Sequence, residues 1–134
     1  MDNQFRAFVA LYYAIDRLYE AEPSDTTALC ASELDPFLFK ALGSADPAHY
    51  AKFCDTYTKR FGESVSEVAP NESYSLAKEF IAPLSDVFHA MYPDDATISD
   101  LFAKHINYGT WLELWEIASD VVSNRLTDLA DVQA

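Results

Sequence analysis

The sequence predicts an all-α fold, in which residues 1–134 form a single compact domain of about six main helices in a bundle-like or orthogonal array. Apolar residues recur at intervals of three and four along most of the chain, which is the helical period. The three glycines of the chain, Gly43, Gly62 and Gly109, each follow a segment with that period, where glycine commonly ends a helix. Alternation between apolar and polar residues is short and weak, the nearest case being 65–68.

The segment 110–129 predicts a long C-terminal helix at the centre of this array. Drawn at about 3.6 residues per turn, it forms one apolar ridge, made of Trp111, Trp115, Ala118, Val122, Leu126 and Leu129. The ridge is widened on its two sides by Leu112, Leu114, Ile117 and Val121. The apolar arc then covers roughly 220°, against ~100° for an ordinary surface helix. Such a helix must pack against several neighbours.

The N-terminal segment predicts a second heavily buried helix. Asp2 or Asn3 caps it, and it runs to about Ala21. Its apolar face consists of Phe5, Phe8, Leu11, Tyr12, Ala14, Ile15, Leu18 and Tyr19. Pro23 ends this helix, and Ser24 or Asp25 caps a short one that follows.

Two Asp-Pro pairs predict the next helix starts, because aspartate is a good N-cap and proline is tolerated at the first helical position. The pair Asp35-Pro36 opens a short helix over 36–42. The pair Asp46-Pro47 opens a longer one over 47–61, which Gly62 ends.

The second half of the chain predicts three more helical segments. Asn71 caps an amphipathic run to Met91, and Pro83 within it is expected to kink or break the helix. That run buries Ala77, Phe80, Ile81, Leu84, Phe88 and Met91. Thr97 with Asp100 resembles a capping box and begins a helix that stops near Gly109, after which Thr110 caps the last one.

The composition limits the classes of function. The chain carries 9 basic and 22 acidic residues, a formal charge of −13, which argues against binding a nucleic-acid backbone or an anionic membrane. No apolar stretch approaches the ~20 residues of a membrane span, and the N-terminus has no signal-peptide pattern. The two cysteines, Cys30 and Cys54, are expected to be reduced packing residues. A cytoplasmic protein is the simplest interpretation.

A metal site is the sharpest chemical alternative. Asp46-x-x-His49 and Asp86-x-x-His89 each place a carboxylate and an imidazole on one helical face, and Glu113 or Glu116 could supply a further ligand. Four-helix di-metal proteins use carboxylate-x-x-His pairs with single carboxylates from other helices. Against this, Asp46 is well explained as an N-cap, and both pairs have aspartate where that pattern has glutamate. A nucleophilic Cys54 with His49 is a weaker alternative, because an acidic chain disfavours a thiolate.

Acidic and tyrosine side chains on the predicted surface suggest contacts with a protein partner. Glu113, Glu116 and Asp120 form an acidic ridge on the last helix, which is either a solvated face or a contact for a basic partner. The eight tyrosines are too many for a small core, and Tyr12, Tyr13 and Tyr19 are candidate interface residues. The wide apolar arcs of the first and last helices indicate either a central pair or a homodimer face.

We therefore expect a non-enzymatic interaction or regulatory domain that acts through a protein partner or a second copy of itself. No catalytic residue and no cofactor is predicted. The metal-binding helical protein or enzyme built on His49, Asp86 and His89 stays open as an alternative. An acidic mimic of DNA that binds a nucleic-acid-binding protein stays open as a second.

Overall fold

Six α-helices account for most of the part of the chain that the structure, a computed structural model, describes: residues 3–37, 43–62 and 67–133, with side chains as far as 125. They are α1 (Asn3–Ala21), α2 (Asp25–Leu34), α3 (Pro47–Phe61), α4 (Pro70–Met91), α5 (Ile98–His105) and α6 (Tyr108–Gln133). No β-strand occurs within these ranges. The prediction of an all-α array is confirmed. The short helix expected over 36–42 lies largely outside the described residues.

Local capping signals place three of the helix starts where the sequence predicts them. The Ser24 side chain accepts a hydrogen bond from the backbone N–H of Thr27, and the Thr27 side chain accepts one from the backbone N–H of Ser24, so α2 begins with a reciprocal capping box. The Asp46 side chain accepts from the backbone N–H of Ala48 at the start of α3. Thr97 caps α5 by accepting from the backbone N–H of Asp100.

The end of α3 is fixed by a glycine. Gly62 has a φ of 82°, and its N–H donates to the carbonyl of Thr58. A side chain at this position would be strained in that conformation, which is why glycine ends the helix here.

α4 differs from the prediction at its start and at Pro83. α4 begins at Pro70 rather than after Asn71, with Ala69 as an N-cap that makes no side-chain bond. Proline occupies the first turn, where its missing N–H leaves no bond unmade. Pro83 does not break α4, which continues to Met91 as one helix. Buried residues on both sides of Pro83 anchor the two halves of α4 in the same core.

The junction between α5 and α6 is also different. α5 ends at His105, and the side chain of Asn107, rather than that of Thr110, caps α6 by accepting from the Thr110 N–H at 2.8 Å. Gly109 lies inside the first turn of α6 instead of ending the preceding helix. Asparagine is as good an N-cap as threonine, and here it comes three residues earlier.

The centre of the array is α1, which packs against each of the other five helices, whereas α6 packs mainly against α1 and α4. α1 can take this position because it buries small residues among large ones, which lets neighbouring helices approach closely. Its buried residues are Phe5, Ala7, Phe8, Val9, Ala10, Leu11, Ala14, Ile15 and Leu18.

α6 buries its tryptophans but not its whole predicted arc. Trp111, Trp115 and Val122 are buried, as expected. Leu112 and Ile117 are 38% and 42% exposed, so the buried stripe is narrower than the sequence predicts. Apolar periodicity marks which residues can be buried, and the number of neighbouring helices decides which of them are.

Candidate functional site

The contact between α1 and α6 is built around Arg6. Its guanidinium carbon lies 4.0 Å from the centre of the Trp115 ring, and its Nε and Nη2 atoms donate to the Trp115 carbonyl at 3.1 and 3.0 Å. Burial lowers the pKa of Arg6, and the charges of Glu116 and Asp120 oppose that shift. One arginine thus combines ring stacking with two hydrogen bonds between the helices.

The predicted acidic ridge faces solvent and has partners in its own chain. Glu113 lies 3.6 Å from Arg17, and Glu116 lies 3.7 Å from Arg6. Asp120 is exposed one turn further along α6. Both arginines belong to α1, so these exposed ion pairs flank the α1–α6 contact. Acidic side chains also occur on all six helices, and this distribution gives the DNA-mimic hypothesis no specific support.

The candidate interface tyrosines separate into two environments. Tyr12 and Tyr13 are half-buried, and their ring centres lie 5.8 and 6.1 Å from that of Phe37. Burial, followed by the charges of Asp35 and Asp16, raises the pKa of Tyr12 to about 12. Tyr19 is exposed at the end of α1. Two of the three rings are therefore packed within the chain.

The predicted metal ligands are not brought to one place. Asp86 and His89 are exposed on α4, while Glu113 and Glu116 are exposed on α6 beside arginines. Only His49 belongs to a group of three potential ligands in the described part of the chain, and its companions are Asp46 and Glu33. The sequence predicts the Asp46-x-x-His49 pair as metal ligands, but it does not predict Glu33.

The group of Glu33, Asp46 and His49, which we call the α2–α3 cluster, joins the end of α2 to the start of α3. His49 Nε2 lies 3.3 Å from Glu33 Oε2 and 3.7 Å from Asp46 Oδ2. The potential ligand atoms all lie within 4.8 Å of one another, and all three residues are half-buried. Asp46 caps α3 with its other oxygen, Oδ1.

Backbone hydrogen bonds hold the α2–α3 cluster in place. The N–H of Asp46 donates to the Glu33 carbonyl at 2.9 Å, and the N–H of Ala45 donates to the Asp35 carbonyl at 2.8 Å. The Ser44 hydroxyl donates to the Asp46 carbonyl and accepts from the N–H of Tyr50. Sequence spacing does not reveal Glu33, because its approach depends on the backbone bonds of Ala45 and Asp46 to the end of α2.

A cleft of about 460 Å³ opens between α3 and α4. Its walls are formed by Ala48, His49, Ala51, Lys52 and Asp55 of α3, and by Phe80, Pro83, Leu84 and Val87 of α4. Val87 is 56% exposed, and Met91 one turn further along α4 is 49% exposed. The sequence predicts Met91 on the buried face, and that is wrong. Pro83, Val87 and Met91 form an exposed apolar stripe at intervals of four, which we call the α4 stripe.

The two cysteines differ in burial. Cys30 is fully buried in the core, and burial followed by the charge of Glu33 raises the pKa of its thiol, so the reactive thiolate is disfavoured. Cys54 is half-buried on α3.

Two further findings concern the chain as a whole. None of the helices, over the residues described, has the length and apolar character needed to cross a membrane. No family model, curated protein or solved structure matches this chain.

Proposed function

We propose that this protein is a non-enzymatic interaction module that binds one amphipathic helix of a basic partner protein in the cleft between α3 and α4. The observation that carries the proposal is the α4 stripe, where Val87 and Met91 are about half exposed beside an open, mostly apolar cleft. Exposed apolar residues grouped at a concave surface are typical of binding sites, whereas single ones are ordinary.

The dimensions of the cleft suit a helix. Pro83 and Met91 are eight residues apart on α4, which corresponds to about 12 Å along the helix axis at ~1.5 Å per residue. A partner helix lying along this stripe would present apolar residues at intervals of three and four over two to three turns. The small residues Ala48 and Ala51 on the α3 wall leave room for its side chains.

Charge favours a basic partner over a second copy of the chain. The formal charge of −13 attracts cationic proteins and repels another molecule of the same charge. Near the cleft, Asp55 belongs to the α3 wall and the exposed Asp86 precedes Val87, while Lys52 supplies a positive charge on the same wall. The partner helix would accordingly carry lysines or arginines beside its apolar face.

The packing of α1 on α6 favours the central-pair interpretation over a homodimer. Over the described side chains, most apolar residues of these two helices are covered within the chain, with Tyr19, Leu112 and Ile117 left exposed. Of the two interpretations left open by the sequence, the central pair is the one that the packing supports.

Peptide titration tests the proposal. The probe is a synthetic amphipathic peptide of about three to four helical turns, with leucines on one face and lysines on the other, and its binding is followed by fluorescence anisotropy. We expect Val87→Gln and Met91→Gln each to weaken binding by about tenfold, equivalent to ~1.4 kcal/mol. Glutamine is a good helix former, so α4 should remain intact.

The matched control is Ile117→Gln, which removes a similarly exposed apolar side chain from α6. This variant should bind the peptide as the unaltered protein does, and a peptide with glutamates in place of lysines should bind more weakly. Equal weakening by Ile117→Gln, or no effect of Val87→Gln, would overturn the proposal. A dimer in sedimentation that dissociates on Val87→Gln would also overturn it, since the occupant would then be a second copy.

A further inference from the structure

We propose that the α2–α3 cluster, Glu33, Asp46 and His49, binds one divalent transition-metal ion such as Zn²⁺ or Co²⁺. This site shares His49 with the α3 wall of the cleft, but metal binding at it does not depend on a partner helix. It also differs from the di-metal pattern that the sequence suggests, because its third residue is Glu33 of α2 and it includes neither Asp86 nor His89.

The separations of the ligand atoms fit a single ion. Zinc bonds to imidazole nitrogen and carboxylate oxygen at about 2.0–2.2 Å, so tetrahedral neighbours around it lie roughly 3.3–3.6 Å apart. His49 Nε2 is 3.3 Å from Glu33 Oε2 and 3.7 Å from Asp46 Oδ2. The two carboxylate oxygens lie within 4.8 Å of each other, so rotation of the Glu33 and Asp46 side chains would bring all three ligand atoms to tetrahedral separations.

Two carboxylates converge on one nitrogen, and the long hydrogen bond between His49 and Glu33 leaves Asp46 Oδ2 without an equal share of the proton. Nε2 of a histidine carries at most one proton, which can serve only one of the two carboxylates well. The shorter separation, 3.3 Å, already exceeds the usual length of an N–H to oxygen hydrogen bond, about 2.9 Å. A divalent ion at this point would bond to all three side chains and offset the repulsion between Glu33 and Asp46.

The surroundings hold the ligands in position. Asp46 is fixed by its N-cap bond through Oδ1, which directs Oδ2 towards His49. The hydrogen bond from the Asp46 N–H to the Glu33 carbonyl ties the end of α2 to the same point. Such supporting bonds orient metal ligands and raise affinity. A metal here would crosslink α2 and α3.

The donor set determines the class of metal. One imidazole nitrogen with two carboxylate oxygens suits Zn²⁺, Co²⁺ and related ions, whereas Ca²⁺ and Mg²⁺ prefer oxygen ligands alone. Three protein ligands on a half-buried site also leave a position for water, which an ion of this class accepts readily.

Metal titration of the intact protein tests this inference. Calorimetry with Zn²⁺ should show one site per chain, and Co²⁺ should give visible absorption bands of a site with nitrogen and oxygen ligands. Glu33→Gln, Asp46→Asn and His49→Ala should each weaken Zn²⁺ binding by about tenfold or more. Asp46→Asn keeps the N-cap, because asparagine caps as well as aspartate, so the loss of affinity cannot be attributed to an unfolded α3.

The chain supplies its own control at Asp86-x-x-His89, which has the same spacing and lies exposed on α4 without a third ligand in the described residues. His89→Ala should bind Zn²⁺ as tightly as the unaltered protein. Zn²⁺ should also raise the melting temperature of the unaltered protein and not that of Glu33→Gln. The inference is overturned if His89→Ala reduces the affinity as much as His49→Ala does. Unchanged affinity in Glu33→Gln and Asp46→Asn would have the same consequence.

Discussion

The α1–α6 contact and the α3–α4 contact both pack apolar and aromatic side chains, but they differ in how much of that apolar surface is covered. Between α1 and α6, Trp115 is fully covered, and Arg6 closes the edge of the contact with a stacked guanidinium. Between α3 and α4, a cleft remains, and Val87 and Met91 are left about half exposed. The first region is an interface completed within the chain, whereas the second leaves apolar surface exposed to solvent.

This difference shows that apolar periodicity measures how much surface a helix can bury and does not say what covers it. The sequence assigns the widest apolar arcs to the first and last helices, which made them candidates for a dimer face. Over the described side chains, those arcs are largely buried apart from Tyr19, Leu112 and Ile117, whereas α4 carries an exposed apolar stripe beside an open cleft. Unused apolar surface therefore has to be identified from packing.

Trp111→Ala should produce the largest loss of stability and tests the packing of α6 against α4 and α5, where the Trp111 ring lies beside those of Tyr74 and Phe102. Trp111 is fully buried, and its indole N–H donates to the Ser73 hydroxyl at 2.9 Å within the core. Truncating a buried tryptophan costs about 3–5 kcal/mol through lost burial and the cavity left behind. Denaturant unfolding followed by circular dichroism measures this loss.

The neighbouring residue provides the control for Trp111. Leu112→Ala removes a side chain that is 38% exposed on the same turn of α6, and its cost should stay within about 0.5 kcal/mol. If both substitutions cost the same, the narrow buried stripe on α6 is wrong and the wide arc predicted from the sequence is right.

Arg6→Ala should have an intermediate effect, because it removes the stacked guanidinium at the edge of the α1–α6 contact. Two hydrogen bonds to the Trp115 carbonyl and a cation–π contact are lost, for which we expect about 1.5–3 kcal/mol in equilibrium unfolding. Lysine should restore little of this, since an ammonium group has neither the planar face nor the paired donors.

Arg17→Ala is the matched control on the same helix. Arg17 makes an exposed ion pair with Glu113 at 3.6 Å, and such pairs contribute less than about 1 kcal/mol. Equal costs for Arg6→Ala and Arg17→Ala would mean that charge, and not the packing of the guanidinium on Trp115, holds α1 to α6.

Local chemistry explains which parts of the fold the sequence predicts well. The starts of α2, α3 and α5 follow from Ser24, Asp46 and Thr97, because each cap bonds to an N–H within three residues of itself. The capping of α6 was misplaced because Asn107 and Thr110 are both good caps, and only the path of the chain decides between them.

The candidate sites depend on contacts that are distant in sequence. His49 and Asp46 share a helix start and can be found from their spacing, whereas Glu33 joins them only because the Asp46 N–H bonds to the Glu33 carbonyl. Met91 has the spacing of a core residue, but its side chain is exposed. The apolar periodicity of the sequence reveals neither the approach of Glu33 to His49 nor the exposure of Met91.

Glu22→Gln should give the smallest effect, and it tests a contact at the periphery of the central helix. Glu22 follows α1 and accepts hydrogen bonds from Lys104 and His105 at the end of α5. These bonds lower the pKa of the Glu22 carboxyl from its ordinary value of 4.5. A carboxyl whose pKa is lower in the folded protein stabilises the fold above its unfolded pKa, and this contribution is lost as the pH falls through the folded pKa.

The unaltered protein should therefore melt slightly above Glu22→Gln at pH values above 4.5, and the difference should vanish as the pH falls through the lowered pKa of the Glu22 carboxyl. Added salt should reduce the difference at the higher pH, because the group is exposed and screened. Melting curves of both proteins across this range provide the measurement. A difference that persists at low pH would show that the shape of the Glu22 side chain, and not its charge, ties α1 to α5. The contact between the end of α1 and α5 would then be held by packing, as the α1–α6 contact is, and not by charge.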